Sequence, residues 1–313
     1  MKVGIVGCGG IAAAHAKAYQ DNGATIVALA DVSLAAAEKM AEGLQGAKAF
    51  DNYERMFEAI KLDVVSVCSP PVAHEAAVLS ALGRGINVLC EKPLAHSLAS
   101  AKRMAAAAAT SKALLVPAFR HRYLPAVNKL RELLREGAIG KPIFFNNAFC
   151  GPAFGMETRW FTKKAVAGGG CLIDTASHSI DLFRHILGDI VESHIVMSRH
   201  FESTDVEDTA VLTLKSADSA LGSLMCSFVA GQGAAYIEVT GTEGKLAYDY
   251  CVPTELNLYK KGEKQTLAVA ASNGFAEQTA AFLAAIEGKG KTLATVEDGV
   301  KAMEVIARSY HEA

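Results

Sequence analysis

From residue 1 to about 120, short apolar runs alternate with longer, Ala-rich stretches of helical length. Val3–Val6, Thr25–Ala30, Asp63–Cys68, Ile86–Cys90 and Ala113–Ala118 are short, rich in aliphatic residues and bounded by Gly, Asp or Pro, which predicts strands buried on both faces. Ala47–Phe50 predicts one more short strand. Between these runs, Ile11–Asp21, Leu34–Glu42, Val72–Leu82 and Ser97–Thr110 predict helices. Such an alternation implies right-handed crossovers and a doubly wound parallel sheet covered on both faces. A helix follows, with Pro125 near its start, Leu130, Leu133 and Leu134 along it, and Gly137 at its stop. After Pro142 the rhythm changes. Val211–Leu214, Leu221–Phe228, Tyr236–Thr240, Lys245–Tyr250 and Glu255–Leu258 predict strands joined by turns, hence an open, mostly antiparallel sheet. Phe275–Glu287 and Val296–Ala313 predict two closing helices. The pattern therefore describes an α/β chain of two domains, 1–120 and 121–313, the second of α+β type.

Composition agrees. A chain of 313 residues is longer than one core usually takes, and would bury about 74% of its extended surface, so no disulfide or metal staple is needed. Lys and Arg number 31 against 33 Asp and Glu, a formal net charge of −2 with no basic stripe, which argues against a nucleic-acid partner. No apolar stretch is long enough to span a bilayer, so no membrane partner is expected. Seven cysteines at wide spacings, with no Cys-x-x-Cys, predict reduced thiols and a cytoplasmic protein. The first twenty residues have the charge and small residues of a weak signal peptide, but Gly7, Gly9 and Gly10 interrupt the apolar segment.

Gly7-Cys8-Gly9-Gly10-Ile11-Ala12 follows the first strand and opens the first helix. In this Gly-x-Gly-x-x-Ala pattern Gly7 makes the tight turn, Gly9 lets the backbone touch a pyrophosphate, and Ala12 lets helix and strand pack closely. The helix N-terminus then offers free N–H groups to the phosphates. A tight connection with no ligand fits the loop alone. Asp31, at the end of the second strand, stands where a carboxylate meets the hydroxyls of an adenosine ribose and repels a 2′-phosphate. The nearest downstream cation is Lys39, so the pattern favours NAD, with NADP as the alternative.

Three further stretches resemble one family, the glucose–fructose oxidoreductase, inositol dehydrogenase and rhizopine-catabolism (Gfo/Idh/MocA) oxidoreductases. They are Ser69-Pro70-Pro71-x-x-His74, Glu91-Lys92-Pro93, and Gly168-Gly169-Gly170 leading to Asp174-x-x-x-His178. The resemblance covers the whole chain. It implies an N-terminal Rossmann domain, a C-terminal antiparallel sheet, and oxidation of a secondary hydroxyl, or reduction of a ketone, on a sugar, polyol or sugar derivative with NAD or NADP. It also implies a cis Lys92–Pro93 bond and a homodimer or homotetramer formed through the C-terminal sheet.

The resemblance further implies that Lys92, Asp174 and His178 are the catalytic set, and that the dinucleotide is held by Gly7, Gly9, Gly10, Ile11, Asp31, Ser69, Pro70, His74, Glu91 and Lys92. On the residues themselves, Lys92 lies at the carboxyl end of a parallel strand, where an ammonium can polarise an oxygen. Asp174 and His178 are four apart on a helix, so they share a face with Ser177, Asp181 and His185. An imidazole titrates near neutrality and can exchange a proton with a hydroxyl. An ordinary solvated helix face explains the same pattern. Ala176 replaces the glycine usual between the Asp and the His, a change that narrows the pocket by one methyl group. Arg122 and Tyr123, near Arg120 and His121, and Arg159 with Trp160 are the expected substrate-side residues, offering hydrogen bonds and a sugar-stacking face. A metal on Cys171, Asp174 and His178 is not expected, because hydride transfer beside a Lys and His pair needs none. Competing readings are a non-catalytic NAD-binding regulator of the same fold, an oxidoreductase of a nucleotide-linked sugar, and a methyltransferase, which leaves Glu91-Lys92-Pro93 unexplained.

Overall fold

The computed structural model describes residues 1–153, 155 and 159–312. Two compact units result, Met1–Arg120 with Phe275–Met303, and His121–Gly274 with the residues from Glu304 onward.

The first unit begins with β1 (Lys2–Val6), α1 (Gly10–Asp21), β2 (Thr25–Ala30), α2 (Leu34–Ala41), β3 (Lys48–Phe50), α3 (Tyr53–Ala59) and β4 (Val64–Val67). It continues with α4 (His74–Gly83), β5 (Asn87–Cys90), α5 (Leu98–Thr110) and β6 (Leu115–Pro117). The strands form one sheet in the order β3-β2-β1-β4-β5-β6, all parallel, which is the doubly wound order of a Rossmann domain. Val3, Ile5, Val64, Val65 and Val67 are fully buried, as strands covered on both faces must be. Ser33, Asn52 and Ser97 cap their helices by accepting from Ala36, Glu54 and Ser100 backbone N–H groups. α3 has no counterpart in the sequence reading. Its two turns are too short for a periodicity, and it holds through the Asn52 cap and the buried Met56 and Phe57.

The second unit holds α6 (Pro125–Arg135), β7 (Pro142–Pro152), α7 (Lys164–Ala167), α8 (Cys171–Asp174), α9 (Ala176–Leu187) and β8 (Ile190–Ser198). Then come β9 (Thr209–Ser216), β10 (Leu221–Ser227), β11 (Val229–Gly241), β12 (Lys245–Asp249), β13 (Glu255–Lys260) and β14 (Glu263–Ala268). They build one sheet, β14-β13-β12-β11-β7-β10-β9-β8. β7 runs parallel to β10, and the other neighbouring pairs are antiparallel. On the inner face Phe183 of α9 meets Phe145 of β7 edge-on, ring centroids 5.5 Å apart. The sequence pattern missed β7, β8 and β14. β7 carries two prolines and a pair of asparagines, and buried Asn147 turns its Nδ2 across the sheet to donate to Tyr236 O at 2.6 Å. β8 alternates the wrong way for a simple reading: Ser193 is buried while Val196 is 76% exposed. β14 is an exposed edge strand.

α10 (Phe275–Ile286) belongs with the first unit, not with 121–313 as the sequence divided it. It lies along α1, where Asn22 Nδ2 donates to Ala276 O at 3.0 Å and the Phe275 ring meets His15 edge-on at 5.6 Å. Order along the chain cannot reveal such a return. The division between units falls within α11 (Val296–Glu312), and the expected end of that helix at Ala313 lies outside the described residues.

Candidate active site

Because β1, β2, β4 and β5 are parallel, the loops that follow them leave one edge of the sheet. Those loops carry Gly7–Gly10, Asp31, Ser69–Pro70 and Glu91–Lys92. Gly7 has φ +89°, and a Cβ there would lie 2.5 Å from Ser69 N, so the turn admits only glycine. Gly9 caps α1 and Gly10 opens it, and Cβ positions at both face open space, leaving room for a phosphate at the helix N-terminus. Asp31 Oδ2 accepts from Cys8 N and Oδ1 from Ser33 N, both at 2.8 Å, so the carboxylate is anchored to the loop while each oxygen keeps a lone pair for a ribose hydroxyl. Ile11 is 38% exposed at the mouth of the loop. Ser69 Oγ is buried with no partner among the described residues, a polar group awaiting one. These observations fit a dinucleotide.

The Lys92–Pro93 peptide is cis, as the resemblance implies. Two residues expected to touch the cofactor are spent elsewhere. Glu91 is buried and turns inward, Oε1 2.8 Å from His15 Nε2 and Oε2 accepting from Lys92 N at 3.0 Å, because a buried carboxylate must find donors. His74 is buried between Ser69 O, at 2.7 Å from Nε2, and Pro93 O, at 3.1 Å from Nδ1, so it ties the Ser69 loop to the turn after Lys92. Burial outweighs those hydrogen bonds and lowers its proton affinity.

The second unit carries Asp174 and His178 where α8 passes into α9. Their helix starts at the glycine run, which is itself clamped. A Cβ on Gly169 would collide with the Tyr310 ring, and one on Gly170 with Glu207 O, so both positions are held by close approach. Glu207 Oε1 accepts from Gly170 N and Leu172 N, each at 3.0 Å, and from Tyr310 Oη at 2.8 Å. That carboxylate at the N-terminus of α8 satisfies donors the helix cannot. Asp174 and His178 are half-buried, while Ala176 between them is fully buried. Cys171 Sγ lies 3.5 Å from Cys226 Sγ, both residues buried. The rings of His121 and Phe149 stand against His178, and Tyr250 stands against both of those in turn. Phe149 and Tyr250 were not singled out by sequence. Tyr250 ends an expected strand, which was the one available signal.

The polar face of α9 is not solvated. Asp181 is buried and accepts from Arg122 Nε at 2.9 Å and Nη2 at 2.6 Å. Arg122, expected on the substrate side, is thus held in an internal ion pair, and Tyr123 is buried with it. Arg159 and Trp160 remain exposed, Trp160 at 40%, and both pack on Phe161. That leaves an indole face for a ligand.

Comparison with known proteins agrees with this geometry. Residues 1–119 match the family model described as an oxidoreductase family with an NAD-binding Rossmann fold, and residues 127–247 match the GFO/IDH/MocA C-terminal domain. A D-glucoside 3-dehydrogenase of Escherichia coli (strain K12) is 30% identical over 100% of this chain and 95% of its own length. A myo-inositol 2-dehydrogenase of Thermotoga maritima is 29% identical over 80% of this chain and 75% of its own. The solved structure of a levoglucosan dehydrogenase in complex with NADH and L-sorbose has the same fold, with a TM-score of 0.93 at 22% identity, covering 100% of this chain and 96% of that one.

Proposed function

The chain belongs to the Gfo/Idh/MocA oxidoreductases, an NAD-binding family, and we propose that it moves a hydride between NAD(H) and a secondary hydroxyl or ketone of a sugar, a cyclic polyol or a close derivative. The observation that carries this reading is the set gathered at one sheet edge: the Gly7 turn, the anchored Asp31 carboxylate, the unpartnered Ser69 hydroxyl and Lys92. The names of the relatives, which act on a glucoside and on inositol, support the substrate class.

A bound nicotinamide supplies the hydride acceptor or donor. In this reading His178 takes the proton of the substrate hydroxyl, or returns it in the reverse direction. Lys92 donates to a substrate oxygen and stabilises the charge that develops there. Asp174 holds a substrate hydroxyl and steadies the imidazolium. Trp160 offers a face for a sugar ring. Alignment of the two reactants supplies most of the acceleration.

We propose a second copy of the chain as the partner of the open sheet face. By register Val196 stands beside Val211 and Val211 beside Met225, all three pointing outward and at least 37% exposed. Such a row is self-complementary about a two-fold axis. Val196→Glu with Met225→Glu should yield monomer by light scattering, and a wild-type chain that is already monomeric removes this part.

The reaction is tested by incubating the protein with NAD and a panel of sugars and cyclic polyols while following the absorbance of reduced nicotinamide. A rise with one class supports the reading. NAD binding with no turnover of any member favours a cofactor-binding regulator.

A further inference from the structure

A chain of buried hydrogen bonds runs through the first unit and ends on Lys92. Tyr19 Oη lies 3.0 Å from Ser66 Oγ, Ser66 Oγ 3.1 Å from His15 Nδ1, and His15 Nε2 2.8 Å from Glu91 Oε1. Glu91 Oε2 accepts from Lys92 N at 3.0 Å. Tyr19 and His15 come from α1, Ser66 from β4, and Glu91 from the end of β5; all four are buried. Their polar atoms are cut off from water, so each must find its partner here.

That requirement orients the chain. With Tyr19 donating to Ser66, Ser66 to Nδ1, and Nε2–H to Oε1, every hydrogen in the series has an acceptor and the carboxylate is ionised. Run in reverse, the Tyr19 hydrogen has no acceptor in the series, and a neutral His15 would require a protonated Glu91. The hydrogen-bond network therefore places an N–H on His15 Nε2, facing the carboxylate. Burial opposes the Glu91 charge, yet donation and attraction from His15, followed by the charge and backbone N–H of Lys92, outweigh it and hold the carboxyl below its usual range. The other titratable groups facing Glu91 are Cys68, Cys90 and His74. Burial keeps both thiols protonated and lowers the proton affinity of His74.

We infer that Tyr19, Ser66 and His15 are positioning residues that fix an ionised Glu91, and that Glu91, through its bond to Lys92 N, sets the direction in which that lysine leaves the strand. An apolar α1 face would fill the same space without burying four polar side chains. A buried polar series confers specificity when every member is satisfied, and this one ends on the lysine. The inference rests on the hydride-transfer reading for its purpose, not for its geometry.

Two measurements on the full chain keep the two apart. The first needs no turnover: acylation of the Lys92 amine by acetic anhydride, followed by peptide mass spectrometry. Glu91→Gln and His15→Phe should change the rate of Lys92 labelling at a fixed pH by about threefold or more, because the turn that aims the amine loses its anchor. His15→Gln, whose amide can donate to Oε1, should move it back toward the wild-type value. Unchanged labelling in folded Glu91→Gln and His15→Phe overturns the inference. If His15→Phe does not fold, Ser66→Ala and Tyr19→Phe with Glu91→Gln decide it on the same readout. The second is turnover of a polyol that the wild type oxidises. Here Glu91→Gln and His15→Phe should lower kcat by about tenfold or more, with KM and NAD affinity little changed. A wild type that oxidises no polyol ends the hydride-transfer reading and leaves the labelling result to judge the relay.

Discussion

The His178 imidazole rests on that of His121, ring centroids 4.3 Å apart and planes inclined at 47°. His121 Nδ1 in turn lies 2.7 Å from Tyr250 Oη. The ring expected to carry the proton is therefore backed by a second ring that is itself pinned, which limits the orientations His178 can take. His178→Ala is expected to lower kcat by about a thousandfold, and Lys92→Ala by a similar factor, with the NAD dissociation constant within about threefold of wild type. His121→Phe keeps the ring contact but loses the Tyr250 bond, and should cost about tenfold. Steady-state rates beside a calorimetric NAD titration check all three, and wild-type turnover in either alanine variant would defeat the assignment.

Asp31→Ala removes a ribose acceptor and also the acceptor for Cys8 N, so the glycine loop loses its anchor. NAD affinity should fall about tenfold, the worth of one or two hydrogen bonds to a charged group. NADP affinity should fall less or rise, because the carboxylate no longer repels a 2′-phosphate. Fluorescence titrations with the two dinucleotides read the ratio.

Arg122 and Asp181 form a buried ion pair, and deleting one partner strands a charge in the interior. Arg122→Met is expected to destabilise the fold by about 3 kcal/mol. The double variant Arg122→Met with Asp181→Leu should recover much of that loss in urea unfolding. A single variant as stable as wild type would return Arg122 to the substrate side.

Glu75 of α4 accepts from Arg103 of α5, Nη2 to Oε2 at 2.8 Å, and that hydrogen bond lowers its carboxyl from 4.5 to about 2. A folded-state value below the unfolded one means stability that is present above about pH 4.5 and lost as pH falls toward 2. The pair is solvent-screened, so Glu75→Gln should cost about 1 kcal/mol or less at neutral pH. The difference from wild type should shrink through that acid window in chemical unfolding. A difference that stays constant with pH would show the ion pair to be inert.

Much of the first unit was legible because its information is local. A strand covered on both faces must be aliphatic along its length, and a glycine turn, a capping serine and Glu91-Lys92-Pro93 are runs of adjacent residues. The second sheet was legible only where its alternation is regular. Val191 and Val196 point outward in β8, and β7 places Asn147 in the interior, so polarity there follows the neighbouring strand and not the local period.

The amino-acid order by itself determined the parallel sheet, the dinucleotide loop with Asp31, and the residues Lys92, Asp174 and His178 as the chemistry to look for. Folding decided what surrounds them: that Glu91 answers to His15, that Arg122 belongs to Asp181, that His178 leans on His121, and that α10 returns to α1. The reason is one of range. Periodicity and turn chemistry act between residues a few positions apart, whereas a buried charge is satisfied by whichever donor the packed chain brings within about 3 Å of it, and that donor can lie anywhere along the sequence.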